Sequence, residues 1–167
     1  PFAGAAYATS KAALAALTCF SGDLCAQAVS GDKISFKKTV LDTTFRSEGV
    51  AVGDFNKDGK NDIAAGSVWY EAPDWKMHTT GEKAPEYDPM AYSRSFQTFA
   101  DDVNSDGWTD IIVVEFPGDV TSWLENPKKA DAAWTKHMLT RVTNNESPEF
   151  LDVDGDGKKD LLAAFSP

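Results

Sequence analysis

The sequence predicts an all-β chain of propeller-type blades, each a set of short antiparallel strands, with about two full blades and part of a third. Two observations carry that expectation. The first is internal repetition: Asp54-Phe-Asn-Lys-Asp-Gly-Lys-Asn-Asp62, Asp102-Val-Asn-Ser-Asp-Gly-Trp-Thr-Asp110 and Asp152-Val-Asp-Gly-Asp-Gly-Lys-Lys-Asp160 align without gaps, 48 and 50 residues apart. The second is the texture between these copies. Short runs rich in β-branched and aromatic residues are bounded by Gly, Pro, Asn and Asp, as strands joined by tight turns are. Four such runs in a repeat of about 50 residues match the content of one propeller blade.

The elements follow in chain order. Residues 1–28 read as a signal-peptide-like leader: Lys11 precedes an apolar run from Ala12 to Phe20, and Ala26-Gln27-Ala28 offers small residues before a cut after Ala28. The run is too short to cross a bilayer as a helix. Tyr7 and Lys11 have the spacing of the active-site pair of short-chain dehydrogenases, but the segments that follow do not have a Rossmann strand order. Both cysteines, Cys19 and Cys25, lie in this stretch, so residues 29–167 can hold neither a zinc–cysteine site nor a disulfide.

Residues 29–167 are assigned to the repeats. Phe36-Lys-Lys-Thr-Val-Leu41 reads as the last strand of a preceding unit. Strands are expected to lead into each loop over 49–55, 95–103 and 149–153, and to leave it over 63–66, 111–116 and 161–165. A third strand carries Trp69-Tyr-Glu71-Ala-Pro73 or Trp123-Leu-Glu125-Asn-Pro127, and a fourth carries Trp75-Lys-Met-His78 or Trp134-Thr-Lys-His137. The repeated tryptophans are expected to pack between blades, and His78, His137, Glu71 and Glu125 to be structural. An insertion between Gly81 and Phe96, with Tyr87, Tyr92 and Arg94, has no counterpart in the next repeat. Insertions of this kind often build a binding face.

The loops have the chemistry of calcium sites. Calcium takes six to eight hard oxygen donors in a flexible arrangement. Position 1 supplies Asp54, Asp102 and Asp152; position 3 supplies Asn56, Asn104 and Asp154; position 5 supplies Asp58, Asp106 and Asp156. Glycine at position 6 permits a sharp reversal. Position 7, occupied by Lys60, Trp108 and Lys158, would contribute only its backbone carbonyl. Position 9 returns Asp62, Asp110 and Asp160. This gives up to three Ca2+ sites. They are not EF-hands, because position 12 is Ala65, Val113 or Ala163 rather than glutamate. Trp108 is also a candidate platform for a sugar ring.

These residues resemble the FG-GAP/VCBS repeat family, the calcium-loop propeller repeats also found in integrin α-chains, over roughly residues 34–165. The Phe-Gly…Gly-Ala-Pro signature itself is missing. The Trp-x-Glu-x-Pro segment and Asn144-Asn-Glu-Ser-Pro148 are similar to those of secreted bacterial members. The resemblance implies a propeller of about seven blades, and the leader-like segment with the three loops points to a secreted, periplasmic or cell-surface protein. The remaining blades would come from a longer chain or from self-association, since an open array leaves strand edges exposed.

The net charge of −10 speaks against nucleic acid and anionic lipid as partners. The functional expectation is a non-catalytic module that binds an extracellular protein or polysaccharide, with no membrane span. The alternative is a propeller-fold polysaccharide lyase or hydrolase, for which Tyr92, Arg94 and Glu146 would be the first residues to test.

Overall fold

The computed structural model describes residues 14–19, 36–81, 83–129 and 131–165. Among them there is no helix, and so none long and apolar enough to cross a membrane. Strands β1 (Leu14–Cys19) and β2 (Phe36–Asp42) form an antiparallel pair. β1 lies in the apolar run of the expected leader. The rest of that leader and its cleavage point after Ala28 lie outside the described residues.

Two complete blades follow. The first is β3 (Ala51–Gly53), β4 (Asp62–Ala65), β5 (Val68–Glu71) and β6 (Lys76–Thr79), paired in that order. The second is β7 (Gln97–Asp101), β8 (Asp110–Val114), β9 (Thr121–Glu125) and β10 (Thr135–Thr140), again a simple antiparallel meander. A hairpin of β11 (Glu149–Leu151) and β12 (Asp160–Leu162) begins a third unit. A bridge between Thr143 and Phe165 lies beside it.

The strands entering the loops are shorter than the sequence indicates, for a local reason. Phe55, Val103 and Val153 were expected to extend those strands. Instead their amides donate to the side chains of Asp62 (3.0 Å), Asp110 (3.1 Å) and Asp160 (3.1 Å), which ends the ladder early.

The core lies between blades. Alternation along β5 sends Trp69 to one face and Val68 and Tyr70 to the other, and all three are buried. On the Trp69 side, Ala51, Phe55 and Ala64 of the first blade meet Ile111, Val113, Leu124 and Trp134 of the second. The Phe55 ring lies 5.9 Å from Trp69 and 6.2 Å from Trp134, joining the two blades through aromatic contacts. On the other side, Leu41 of β2, Trp75 and Ala84 cover Ala65, Val68 and Tyr70. Trp75 therefore packs toward the preceding unit, whereas Trp134 fills the interface between the two full blades. The Asp42 carboxylate fastens β2 to the first blade by accepting from Thr44 N (2.8 Å), Arg46 Nε (2.9 Å) and Tyr70 Oη (2.9 Å). Burial acts to raise its pKa, but these donors outweigh it and hold the carboxyl below the usual range.

The insertion is pinned between residues 45–48, which lead into the first blade, and the second blade. Arg46 Nη1 donates to Pro85 O (2.6 Å), Tyr87 N donates to Phe45 O (3.0 Å), and Ser93 N donates to Glu48 (3.0 Å). Tyr92, Phe96 and Phe116 cluster with ring centroids 5.4–5.8 Å apart. Arg94 pairs with Glu115 (3.2 Å) and Asp119 (3.1 Å).

Candidate metal centre

Each acidic loop is the first hairpin turn of its blade: 54–62 joins β3 to β4, 102–110 joins β7 to β8, and 152–160 joins β11 to β12. The three share one backbone course. Position 4 is left-handed in every copy, at φ 59° for Lys57, 59° for Ser105 and 80° for Gly155. Position 6 is left-handed too, at φ 83°, 85° and 86° for Gly59, Gly107 and Gly157. Glycine occupies that position in all three because a Cβ there is strained.

This course folds the backbone around the position 1 aspartate. Asp54 accepts from the amides of Asp58 (3.1 Å) and Gly59 (2.9 Å), and Asp102 from those of Asp106 (2.9 Å) and Gly107 (2.7 Å). Asp152 accepts from Gly155 (2.7 Å) and Gly157 (2.9 Å). The position 3 side-chain oxygens of Asn56, Asn104 and Asp154 accept from the position 5 amides at 3.0, 3.0 and 3.1 Å. Position 5 carboxylates of Asp58, Asp106 and Asp156 accept from the amides of Lys60, Trp108 and Lys158 at 2.8–2.9 Å. Oxygens of positions 1, 3 and 5 are thus gathered inside one short turn. In the third loop, carboxylate oxygens of Asp152, Asp154 and Asp156 lie within 4.8 Å of one another. A hard, oxygen-preferring cation fits this donor set, and the set contains no sulfur or imidazole.

Position 9 is used differently. Asp62 and Asp110 are fully buried. Besides the position 2 amide, each accepts the amide that follows the Trp-x-Glu segment, Ala72 N for Asp62 and Asn126 N for Asp110, both at 2.8 Å. These carboxylates stitch the first hairpin to the end of the third strand. Burial raises the Asp62 carboxyl, and the Asp58 and Asp54 charges add to that against the two amides. Burial pushes Asp110 up to about 6, with Asp106 and Asp102 adding to it. Asp160 is exposed and, among the described residues, keeps only the position 2 amide, from Val153.

Ammonium groups stand beside two of the loops. Lys60 Nζ lies 2.7 Å from Asp58 and lowers its pKa; Lys128 Nζ lies 3.1 Å from Asp106, where desolvation acts to raise the carboxyl but Lys128 and the Trp108 amide together hold it below the usual range. Trp108 is half-buried and its ring carries the Lys57 ammonium at 4.9 Å, so one blade's loop leans on the next and that ring face is already in use.

The repeated Glu and His residues proved to be tied to the loops. Asn56 Nδ2 donates to Glu71 Oε1 (3.0 Å), and Glu71 Oε2 meets His78 Nε2 (2.7 Å). The second blade repeats the chain: Asn104 Nδ2 to Glu125 Oε1 (3.3 Å), and Glu125 Oε2 to His137 Nε2 (2.7 Å). Each histidine stacks on its cross-strand partner, His78 on Trp69 at 4.2 Å and His137 on Trp123 at 4.4 Å. The sequence signal for this link was present in the shared register of the Trp-x-Glu-x-Pro and Trp-x-x-His segments. What the sequence did not reveal was that Glu reaches back to position 3.

Comparison with known families agrees with this geometry. Residues 102–163 match the model of an FG-GAP-like repeat, and residues 48–69 match that of an FG-GAP repeat. The first match runs from the second loop to the last hairpin, and the second covers the first loop with its flanking strands. No curated protein and no solved structure matches the chain. Repeats of this family are typical of extracellular or surface proteins. With its repeated acidic hairpin and four-stranded blades, the chain belongs to the FG-GAP repeat family.

Proposed function

We propose that this chain is a calcium-binding, extracellular β-propeller repeat module that takes up to three Ca2+ and binds a protein or polysaccharide without turning it over. The observation that carries this reading is the threefold recurrence of one left-handed turn at positions 4 and 6, with the position 1, 3 and 5 oxygens gathered by the amides of the loop itself. Position 1, 3 and 5 side chains would hold the ion, with the carbonyls of Lys60, Trp108 and Lys158 and the position 9 aspartates completing the set. Calcium, when bound, supplies the positive charge that relieves repulsion among these carboxylates. The chain itself supplies the turn, the buried Asp62 and Asp110 anchors and the packed blades behind them. Affinity in the weak range of extracellular modules, about 10⁻⁴ to 10⁻³ M, is expected.

The ligand face is assigned to the clefts beneath the insertion. Two adjoining cavities of about 220 and 270 Å³ share Ser67, Leu124 and Lys136. Tyr87, Arg94 and Glu115 line one, and Lys83 and Trp134 line the other. This mixture of cations, hydroxyls and an aromatic edge suits a polar, hydroxyl-rich ligand better than an apolar one. Further blades, from a longer chain or from a second copy, would cover the exposed Met138 and Leu139 of the second blade and Leu162 of the β11–β12 hairpin.

Calorimetric titration with calcium, followed by a glycan array in calcium and a turnover assay on any hit, tests the reading. Heat of binding together with glycan capture and no turnover supports it. Absence of calcium heat removes the metal from the account, and turnover replaces the binding module with a propeller-fold lyase or hydrolase.

A further inference from the structure

We infer that Glu71 and Glu125 are positioning residues for the first two cation loops, fixing which end of the position 3 asparagine faces the ion; this rests on the calcium reading above. An asparagine amide has an oxygen that can ligate a cation and an NH2 that can only donate. Rotation by half a turn would exchange them and present the wrong end. In both blades the Nδ2 is held by a glutamate oxygen, at 3.0 Å for Asn56 and 3.3 Å for Asn104. A carboxylate only accepts, so it selects the orientation with Oδ1 turned to the loop. That same Oδ1 accepts the position 5 amide at 3.0 Å in both copies. Each glutamate is in turn held by its histidine at 2.7 Å, and each histidine by its tryptophan ring.

The third loop supports the same logic by contrast. Asp154 stands at position 3, and both of its ends are oxygens, so no selection is needed. No glutamate contacts it among the described residues. The negative charge that the first two loops keep behind the asparagine is carried in the third by the ligand itself. Outer partners of this kind orient the inner ligands of many metal sites.

The test uses the full chain and terbium, excited through Trp108, which lies within the second loop and so reports chiefly on it; calcium competition gives the calcium affinity. Glu125→Ala is expected to weaken binding at this loop about tenfold. Adding Asn104→Asp to that variant is expected to restore the wild-type affinity, because a carboxylate needs no orienting partner. Asn104→Asp alone, which sets a second carboxylate against Glu125, is expected to weaken binding. If Glu125→Ala loses its melting transition, Glu125→Gln and its Asn104→Asp double variant replace it, with weakening and rescue again expected. Unchanged affinity in the glutamate variant, or failure of Asn104→Asp to rescue, overturns the inference while wild-type binding keeps the calcium reading intact. No terbium signal and no calcium competition in the wild type overturns both.

Discussion

The second and third loops share five of their nine residues, among them the aspartates of positions 1, 5 and 9 and the glycine of position 6, but they are built into different surroundings. In the second, Asp110 is fully buried and clamps two amides, Val103 N from its own hairpin and Asn126 N from the end of β9. In the third, the equivalent Asp160 is exposed and holds one among the described residues. The second loop backs its position 3 asparagine with Glu125, His137 and Trp123, whereas the third places Asp154 there with no such backing among the described residues. The turn itself is therefore a property of nine residues. The rigidity of the turn is a property of the blade, because the third strand and its end supply the glutamate and the second amide, and the fourth supplies the histidine that holds the glutamate. Calcium affinity responds both to ligand charge and to rigidity. The second loop has the rigidity and the third has the extra charge.

The largest expected effect separates the closed interface from the open face. Trp134→Ala, which empties a buried site beside Phe55, should cost about 3–5 kcal/mol in urea unfolding. Trp123→Ala, at a half-buried site, should cost less than half as much. Equal costs would mean that the two faces do not differ in packing.

Next comes the anchor. Asp110→Ala strands the buried Asn126 amide and takes the acceptor from the part-buried Val103 amide, and should cost about 2–4 kcal/mol, since a buried unpaired group costs about 1–3 kcal/mol and a partly exposed one less. Asp160→Ala should stay within about 1 kcal/mol, as surface changes usually do. A reversed order in the same denaturation series would contradict the comparison.

Burial lifts the folded-state pKa of Asp110 from 3.8 to about 6, so its ionised form opposes folding above that range. In chelator, its contribution to stability is lost as pH rises through about 6 and is fully present below 3.8. Across the window between, the slope approaches about 1.4 kcal/mol per pH unit. Asp110→Asn should remove that difference from a pH series of melts. Calcium needs the ionised form, so saturating calcium should flatten or reverse the slope.

The smallest effect tests the turn alone. Gly107→Ala forces a Cβ into φ 85° and should cost about 1–2 kcal/mol. Gly157→Ala, at φ 86°, should cost the same despite the looser surroundings. Unequal costs would show that the turn, too, depends on its blade.

Much of this was legible in the sequence, because repetition is read directly. The three loops, the four strands of each full blade and the left-handed glycines all follow from alignment of the copies with one another. The roles of individual carboxylates were harder to read. Asp62 and Asp110 look like any other loop aspartate, and their burial depends on Ala72 and Asn126, ten and sixteen residues downstream. Glu71 and His78 were legible as a recurring pair but not as a link to Asn56, which pairs with Glu71 across fifteen residues. The contact of Lys57 with the Trp108 ring was not legible, because Lys57 belongs to the preceding blade. Local turn chemistry is written in adjacent residues, and long-range hydrogen bonding is not.

The most direct test is a crystal structure grown in millimolar calcium, with anomalous scattering used to locate the ions. The account predicts an anomalous peak inside each of the loops 54–62, 102–110 and 152–160, ligated by the position 1, 3 and 5 oxygens, with the Asn56 and Asn104 oxygens facing the metal. Loops that lack any anomalous peak, or asparagine amides turned the other way beside a bound ion, would contradict it.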